Sequence, residues 1–311
     1  MYLPYLKGKQ NEFLALRELV DHLTAEQRHN VMPIIEPVRR SCRDAITAFK
    51  SMMDVDWHFA LILNPRVGEF ERGDNDFFSL VKADLEGHNN KWYPAFILNK
   101  NDNIRERIRT NGFDNIMLIL PKLEDADYWV DLISEPFVQF VVICDGDSMP
   151  LLRRIKRIQN KTIIRMDESF IAEQKNAIYA KNIDHRFTDK HTYYKELGYW
   201  GFGDYTTLPS AFISGGVSPT VVAIHLTYNK NCDEIWIHHF LSNAEAKSNE
   251  NVQGKFFEAA SLIEPFFDNL PDDKTYAIES LIKFVKENHY PGLGAIKKWS
   301  IIHHIVLMSK Y

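Results

Sequence analysis

Cysteine is scarce in this chain: Cys42, Cys144 and Cys232 are the only three among 311 residues, and no two form a Cys-x-x-Cys pair. That spacing excludes a disulfide framework and a cysteine-built zinc site. Cys144 ends an apolar run and reads as a small core hydrophobe. Long apolar runs are missing too, since stretches such as Phe140 to Cys144 fall far short of the roughly 20 residues of a membrane helix. Nor is there an excess of positive charge: 37 Lys plus Arg stand against 42 Asp plus Glu, a formal charge of −5. No chain-wide basic field exists to hold nucleic acid nonspecifically. The opening Met1-Tyr-Leu-Pro-Tyr-Leu-Lys7 lacks a basic segment followed by an apolar one and a small-residue cleavage site, so the expectation is a cytoplasmic protein. No His-Glu-x-x-His, Gly-x-Ser-x-Gly or Gly-x-x-x-x-Gly-Lys-Ser/Thr occurs, and no Gly-x-Gly-x-x-Gly follows the first apolar run. A nucleotide cofactor held by a glycine-rich loop is therefore not expected.

What the chain does have is repetition. Eight short apolar runs, Tyr2 to Leu6, Met32 to Val38, Phe59 to Leu63, Tyr93 to Leu98, Ile116 to Leu120, Phe137 to Cys144, Thr162 to Met166 and Tyr199 to Tyr205, alternate with amphipathic stretches. Most runs are hydrophobic throughout, as parallel strands covered on both faces must be. The stretches between them, such as Phe13, Leu16, Leu19, Val20 and Leu23, carry helical spacing. Strand, helix, strand repeated eight times predicts a closed (β/α)8 TIM-like barrel, with an open doubly wound sheet as the alternative. Beyond it, Val221 to Tyr228 and Glu234 to Phe240 flank Asn229-Lys-Asn-Cys-Asp233 and predict a β-hairpin. Helices near Gln253 to Phe267, Lys274 to Glu287 and Ala295 to Met308 follow. The expected division is a barrel over 1–215 and a hairpin plus helices over 216–311, packed together as one domain.

Active sites of such barrels lie at the carboxyl ends of the strands. The polar residues that end the runs are Lys7, Glu36, Asn64, Asn99, Asp145, Asp167 and Asp204. Carboxylates with amide oxygens suit a hard cation such as Mg²⁺, and paired carboxylates can divide acid and base roles. Lys7, desolvated, is a candidate nucleophile or oxyanion partner. Arg165 shares strand parity with Asp167 and reads as a counterion for it or for Glu36. Arg39 and Arg40 follow the second run and can reach an anion at the mouth. Asp145-Gly-Asp-Ser148 also suits a turn or helix cap. Gly201 and Gly203, alternating with Trp200 and Phe202, mark a strand face pressed against backbone or ligand. His238-His239 and His303-His304 lack helical metal-site spacing, while His225 and His238 are placed to meet across the hairpin. The basic cluster Arg153 to Arg157 interleaves with Leu152 and Ile155 and reads as a solvated helix face.

The opening Tyr2-Leu-Pro-Tyr-Leu-Lys7-Gly-Lys9-Gln-Asn-Glu12-Phe-Leu-Ala-Leu16, then Pro33-Ile-Ile-Glu36 and Gly201-Phe-Gly203-Asp204-Tyr205, resembles the bacterial and phage "beta protein" family over most of the chain. The resemblance implies a TIM-like barrel but no assigned activity. It also implies, since some members are encoded beside a small nuclease-like protein, a phage-defence or mobile-element setting with that protein as partner. Matched to its motif are Lys7, Lys9, Glu12, Glu36, Gly203, Asp204 and Tyr205, while Asn11 departs from a glycine. Three functions follow as expectations. In the first, Lys7, Lys9, Arg39, Asn64, Asn99, Arg165 and Tyr205 with the carboxylates bind an anionic, phosphorylated or nucleotide-like ligand at the mouth. In the second, Glu36, Asp145, Asp167 and Asp204 serve a metal-dependent hydrolase or phosphodiesterase. In the third the barrel is a non-catalytic scaffold whose hairpin and helices dock a partner.

Overall fold

The computed structural model describes residues 1–72, 75–88, 90–100, 102–121, 126–144, 149–215, 219–231, 233–243 and 251–311. Its main sheet is parallel and eight-stranded: β1 (Tyr5–Leu6), β2 (Ile34–Ile35), β3 (Phe59–Ile62), β4 (Trp92–Ile97), β5 (Ile116–Leu120), β6 (Val138–Ile143), β7 (Thr162–Asp167) and β9 (Gly201–Asp204), in that order. The ring is nearly closed into a barrel. Its two end strands meet through a parallel bridge between Tyr2 and Phe202, where the Leu3 N–H donates to the Phe202 carbonyl at 2.8 Å. Each apolar run predicted as a barrel strand overlaps one of these eight. β5 is buried at every position, the continuous burial that parallel strands between two apolar layers require.

Helices α1 (Gln10–His22), α2 (Ala25–Asn30), α3 (Arg43–Asp54), α4 (Phe78–Leu85), α5 (Ile104–Asn111), α6 (Ala126–Ser134) and α7 (Met149–Lys156) surround it. On α1 the buried Phe13, Leu16 and Leu19 recur at helical spacing, and α3 buries Ala45, Ala48, Phe49 and Met52 the same way. Arg153, Arg154, Lys156 and Arg157 are exposed while Leu152 and Ile155 are buried, the solvated face read from the sequence. Side chains of alternate parity separate into two cores. Leu3, Tyr5, Ile34, Ile62, Phe140 and Met166 fill the barrel, whereas Leu6, Ile35, Leu61, Val141 and Phe202 pack outward on the helices.

Between β7 and β9 the chain departs from the βα rhythm. It makes a 3₁₀ turn over Asn176–Lys181 and then β8 (Asp184–Thr188), which leaves the barrel and pairs with β11 (Glu234–Leu241), itself antiparallel to β10 (Ala223–Asn231). Residues 253–267, expected as one helix, form α8 (Val252–Ala260) and α9 (Ile263–Phe267). Pro265 has no N–H to offer the Ser261 carbonyl, and the helix breaks there. α10 (Tyr276–Lys286) and α11 (Leu293–Met308) complete the chain, and α11 packs on α1, α10 and β10. No helix among the described residues is long and apolar enough to cross a membrane.

Candidate functional site at the barrel mouth

Strand alternation sorts the candidates before any distance is measured. Leu3 and Tyr5 point into the barrel, and the same two-residue period carries Lys7 to the mouth. There its ammonium meets Glu36, from the end of β2, at 2.8 Å. The Glu36 carboxylate is buried and accepts three hydrogen bonds: from the Tyr5 hydroxyl at 2.7 Å, from Lys7 Nζ at 2.8 Å and from the Arg66 backbone N–H at 2.9 Å. Such satisfaction is what permits a buried carboxylate at all. Tyr205, following β9 at inward parity, places its ring centroid 4.9 Å from that of Tyr5. Lys7 Nζ lies 4.9 Å from the Tyr5 ring centroid and 5.9 Å from that of Tyr205, within cation–π range. Tyr205 and the Cys144 thiol pack against the same interior cluster, and burial pushes that thiol up to about 12. Burial first, then the neighbouring Glu36 charge, raises the Tyr5 phenol well above its ordinary value.

The loop after β1 is shaped from beneath. Gly8 has φ +57°, and a Cβ there would sit 3.0 Å from the Glu36 carbonyl oxygen and 3.1 Å from Pro37 Cα, so glycine is required. Glu12 is buried in the first turn of α1, and its Oε2 has no hydrogen-bond partner. Burial raises its pKa to about 7, against the opposing pull of the Lys9 charge. Lys9 Nζ donates to the Ile213 carbonyl at 3.1 Å and lies 4.7 Å from the Phe212 ring, joining the loop after β1 to the loop after β9. Desolvation lowers its pKa. Arg39 is exposed beyond β2.

Of the other candidates, Asn64 is linked to this cluster through two residues: its Nδ2 donates to Asp102 Oδ2 at 2.9 Å, and Asp102 pairs with Arg66, whose N–H serves Glu36. Asp204 belongs to the outward parity of β9. Its Oδ1 accepts from the Tyr2 hydroxyl at 2.7 Å and the Thr206 N–H at 2.8 Å, and His304 Nε2 of α11 lies 3.3 Å from both carboxylate oxygens. His304 Nδ1 continues to Thr227 Oγ1 of β10 at 2.9 Å. Asp167 also points outward, where Arg165 grips it bidentately at 2.7 and 2.8 Å and Lys190 adds a contact at 3.1 Å. Arg165 is thus the counterion of Asp167, one of the two partners expected. The side chain of Asn64 donates to the Ile97 carbonyl and accepts from the Ile97 N–H, both at 2.8 Å, and so clamps β4. Asn99 is half-buried after β4 and its carbonyl accepts from the Asp102 N–H at 3.0 Å. Asp145 lies outside the described residues. Among the described residues of the strand-end ring, Lys7 and Glu36 meet directly and Asn64 joins them through Asp102 and Arg66, while Tyr205, a candidate from the Gly201–Tyr205 segment, borders Lys7. Tyr5 and Arg66 were missed, although Tyr5 is legible as the residue two before Lys7.

Gly201 and Gly203 meet backbone and strand, not ligand. A Cβ on Gly203 would fall inside the Leu3 carbonyl oxygen, and one on Gly201 would sit 2.8 Å from Leu3 Cδ1. The hairpin register places His225 opposite His239, not His238, with the two Nδ1 atoms 2.6 Å apart; His238 turns to the other face, toward Asp184 at 3.4 Å. Among the described residues no group of three or more His, Cys, Asp and Glu side chains is arranged to hold a metal ion. No protein-family model, no curated protein and no solved structure matches this chain.

Proposed function

We propose that the barrel mouth binds an anionic ligand, phosphorylated or nucleotide-like, with Lys7 as the contacting cation, in a cytoplasmic setting. One observation carries this reading: an ammonium stands at the mouth with 14% of its side chain exposed, fixed by the buried Glu36 and bordered by the Tyr5 and Tyr205 rings. Lys7 has three N–H donors, and Glu36 engages one of them. Lys9, on the loop after β1, adds positive charge near it, the exposed Arg39 follows β2, and the tyrosine rings give a planar group an aromatic neighbour. The companion that the family resemblance suggests, a nuclease-like protein, belongs to the same proposal.

Isothermal titration of wild type and Lys7→Met with pyrophosphate and with ATP, at low and at moderate salt, tests it. Saturable binding to wild type that weakens with salt and disappears in Lys7→Met is the expected result. Binding that survives Lys7→Met unchanged would place the anion elsewhere. Co-purification from a bacterial host tests the companion, and recovery of the chain alone would remove it from the reading.

A further inference from the structure

Asp204 ends a barrel strand yet lies outside the barrel, and the residue two places on is strained. Thr206 has φ +56°, in the left-handed region, which a β-branched residue enters only when its surroundings over-determine it. Its hydroxyl is buried without a partner, so the side chain does not stabilise the turn. The Thr206 N–H does have a partner, the Asp204 carboxylate at 2.8 Å. That carboxylate is held from behind by the Tyr2 hydroxyl at 2.7 Å and by His304 of α11 at 3.3 Å. Between Asp204 and Thr206 sits Tyr205, whose ring packs on Tyr5 and borders Lys7.

From this we infer that Asp204 is a positioning residue: it holds the Thr206 turn from outside the barrel, and so ties the placement of Tyr205 in the mouth to the docking of the C-terminal helix. A hydrogen bond on one side of the strand thereby fixes a side chain on the other. The tie is geometric whatever the ligand; its effect on binding rests on the anion-binding reading of the mouth.

Cys144 reports on Tyr205 without any ligand, because the two side chains pack against the same interior cluster and burial keeps the thiolate fraction small. The experiment follows alkylation of Cys144 in a Cys42→Ser/Cys232→Ser background, under conditions where every variant is folded by circular dichroism. Asp204→Ala is expected to label faster by on the order of tenfold, as uncovering a thiol raises its thiolate fraction and access. Asp204→Asn keeps an oxygen for the Thr206 N–H and stays near wild type. Adding Thr206→Gly to Asp204→Ala supplies a residue that takes positive φ without strain, and returns the rate toward wild type. Leu281→Ala, a core truncation in α10, controls for lost stability and leaves labelling unchanged.

If Asp204→Ala does not fold, His304→Gln and Tyr2→Phe remove the rear supports singly and are expected to accelerate labelling by less. Labelling that matches wild type in the folded variants, or rises equally in Leu281→Ala, overturns the tie. Pyrophosphate titration of the same variants separates the two ideas. Faster labelling with no binding even to wild type rejects the anion reading alone, and binding lost in Lys7→Met with labelling unmoved by Asp204→Ala rejects the tie alone.

Discussion

Replacing Asp204 by alanine tests whether that residue is a buried structural anchor. Its carboxylate is 2% exposed and serves the Tyr2 hydroxyl, the Thr206 N–H and His304 Nε2. Alanine leaves all three polar groups buried without that acceptor, and each such group costs about 1–3 kcal/mol. Breaking one side of a buried charged contact costs about 3–5 kcal/mol as a whole, and the costs overlap because one water can serve two groups. The expected loss is therefore about 4 kcal/mol, a large share of the roughly 5–15 kcal/mol that holds a typical domain. An asparagine amide at the same place keeps one oxygen for Tyr2 and Thr206 and can donate to an unprotonated His304 Nε2, so Asp204→Asn should cost about 1 kcal/mol. Urea unfolding followed by circular dichroism reads both values, provided the slope m is unchanged. If Asp204→Ala unfolds within about 1 kcal/mol of wild type, the size of one ordinary hydrogen bond, the anchor argument fails.

The remaining predictions concern titration and packing. His239 and His303 are fully buried, and burial holds their pKa at about 2 and about 3, so the unfolded chain takes up protons below about pH 6.5 that the native chain refuses. Stability should fall by about 1 kcal/mol per pH unit for each as pH drops from 6 toward 4, and a His303→Gln variant should show a shallower slope; equal slopes would refute the assignment. Glu12 behaves oppositely: its native pKa of about 7 lies above the ordinary carboxylate value, so the native state binds the proton more tightly and stability declines as pH rises between about 4.5 and 7. Glu12→Gln should lose that decline in thermal melts across this window, and a decline as steep as wild type's would show that Glu12 does not cause it. Gly203→Ala should destabilise by more than about 3 kcal/mol, or prevent folding, because its Cβ has no space beside the Leu3 carbonyl; a variant melting with wild type would mean that the two end strands are not in contact there.

The barrel was legible because its strands are covered on both faces, and continuous apolar runs such as Ile116–Leu120 announce themselves without knowledge of their neighbours. β8 was not, since Asp-His-Arg-Phe-Thr carries no apolar run and becomes a strand only where β11 offers an edge to pair with. The hairpin was visible from its turn residues, but its register was not, because a shift of one residue exchanges His238 for His239 and only packing on the neighbouring sheet face selects between them.

The candidate site shows the same division. Which polar residues end the strands is a property of the sequence alone, and Lys7, Glu36, Asp167 and Asp204 all do so. Which of them look into the barrel depends on parity counted from the interior, and parity is set by how the ring closes. Glycines 201 and 203 let β9 press its inward face against Leu3, which sends Tyr205 to the mouth and leaves Asp204 facing α11. Local composition thus determined the barrel strands, the helices between them and the polar strand ends. Tertiary closure decided which carboxylate meets Lys7, because opposite faces of one strand reach different partners and only the assembled ring assigns an inside and an outside.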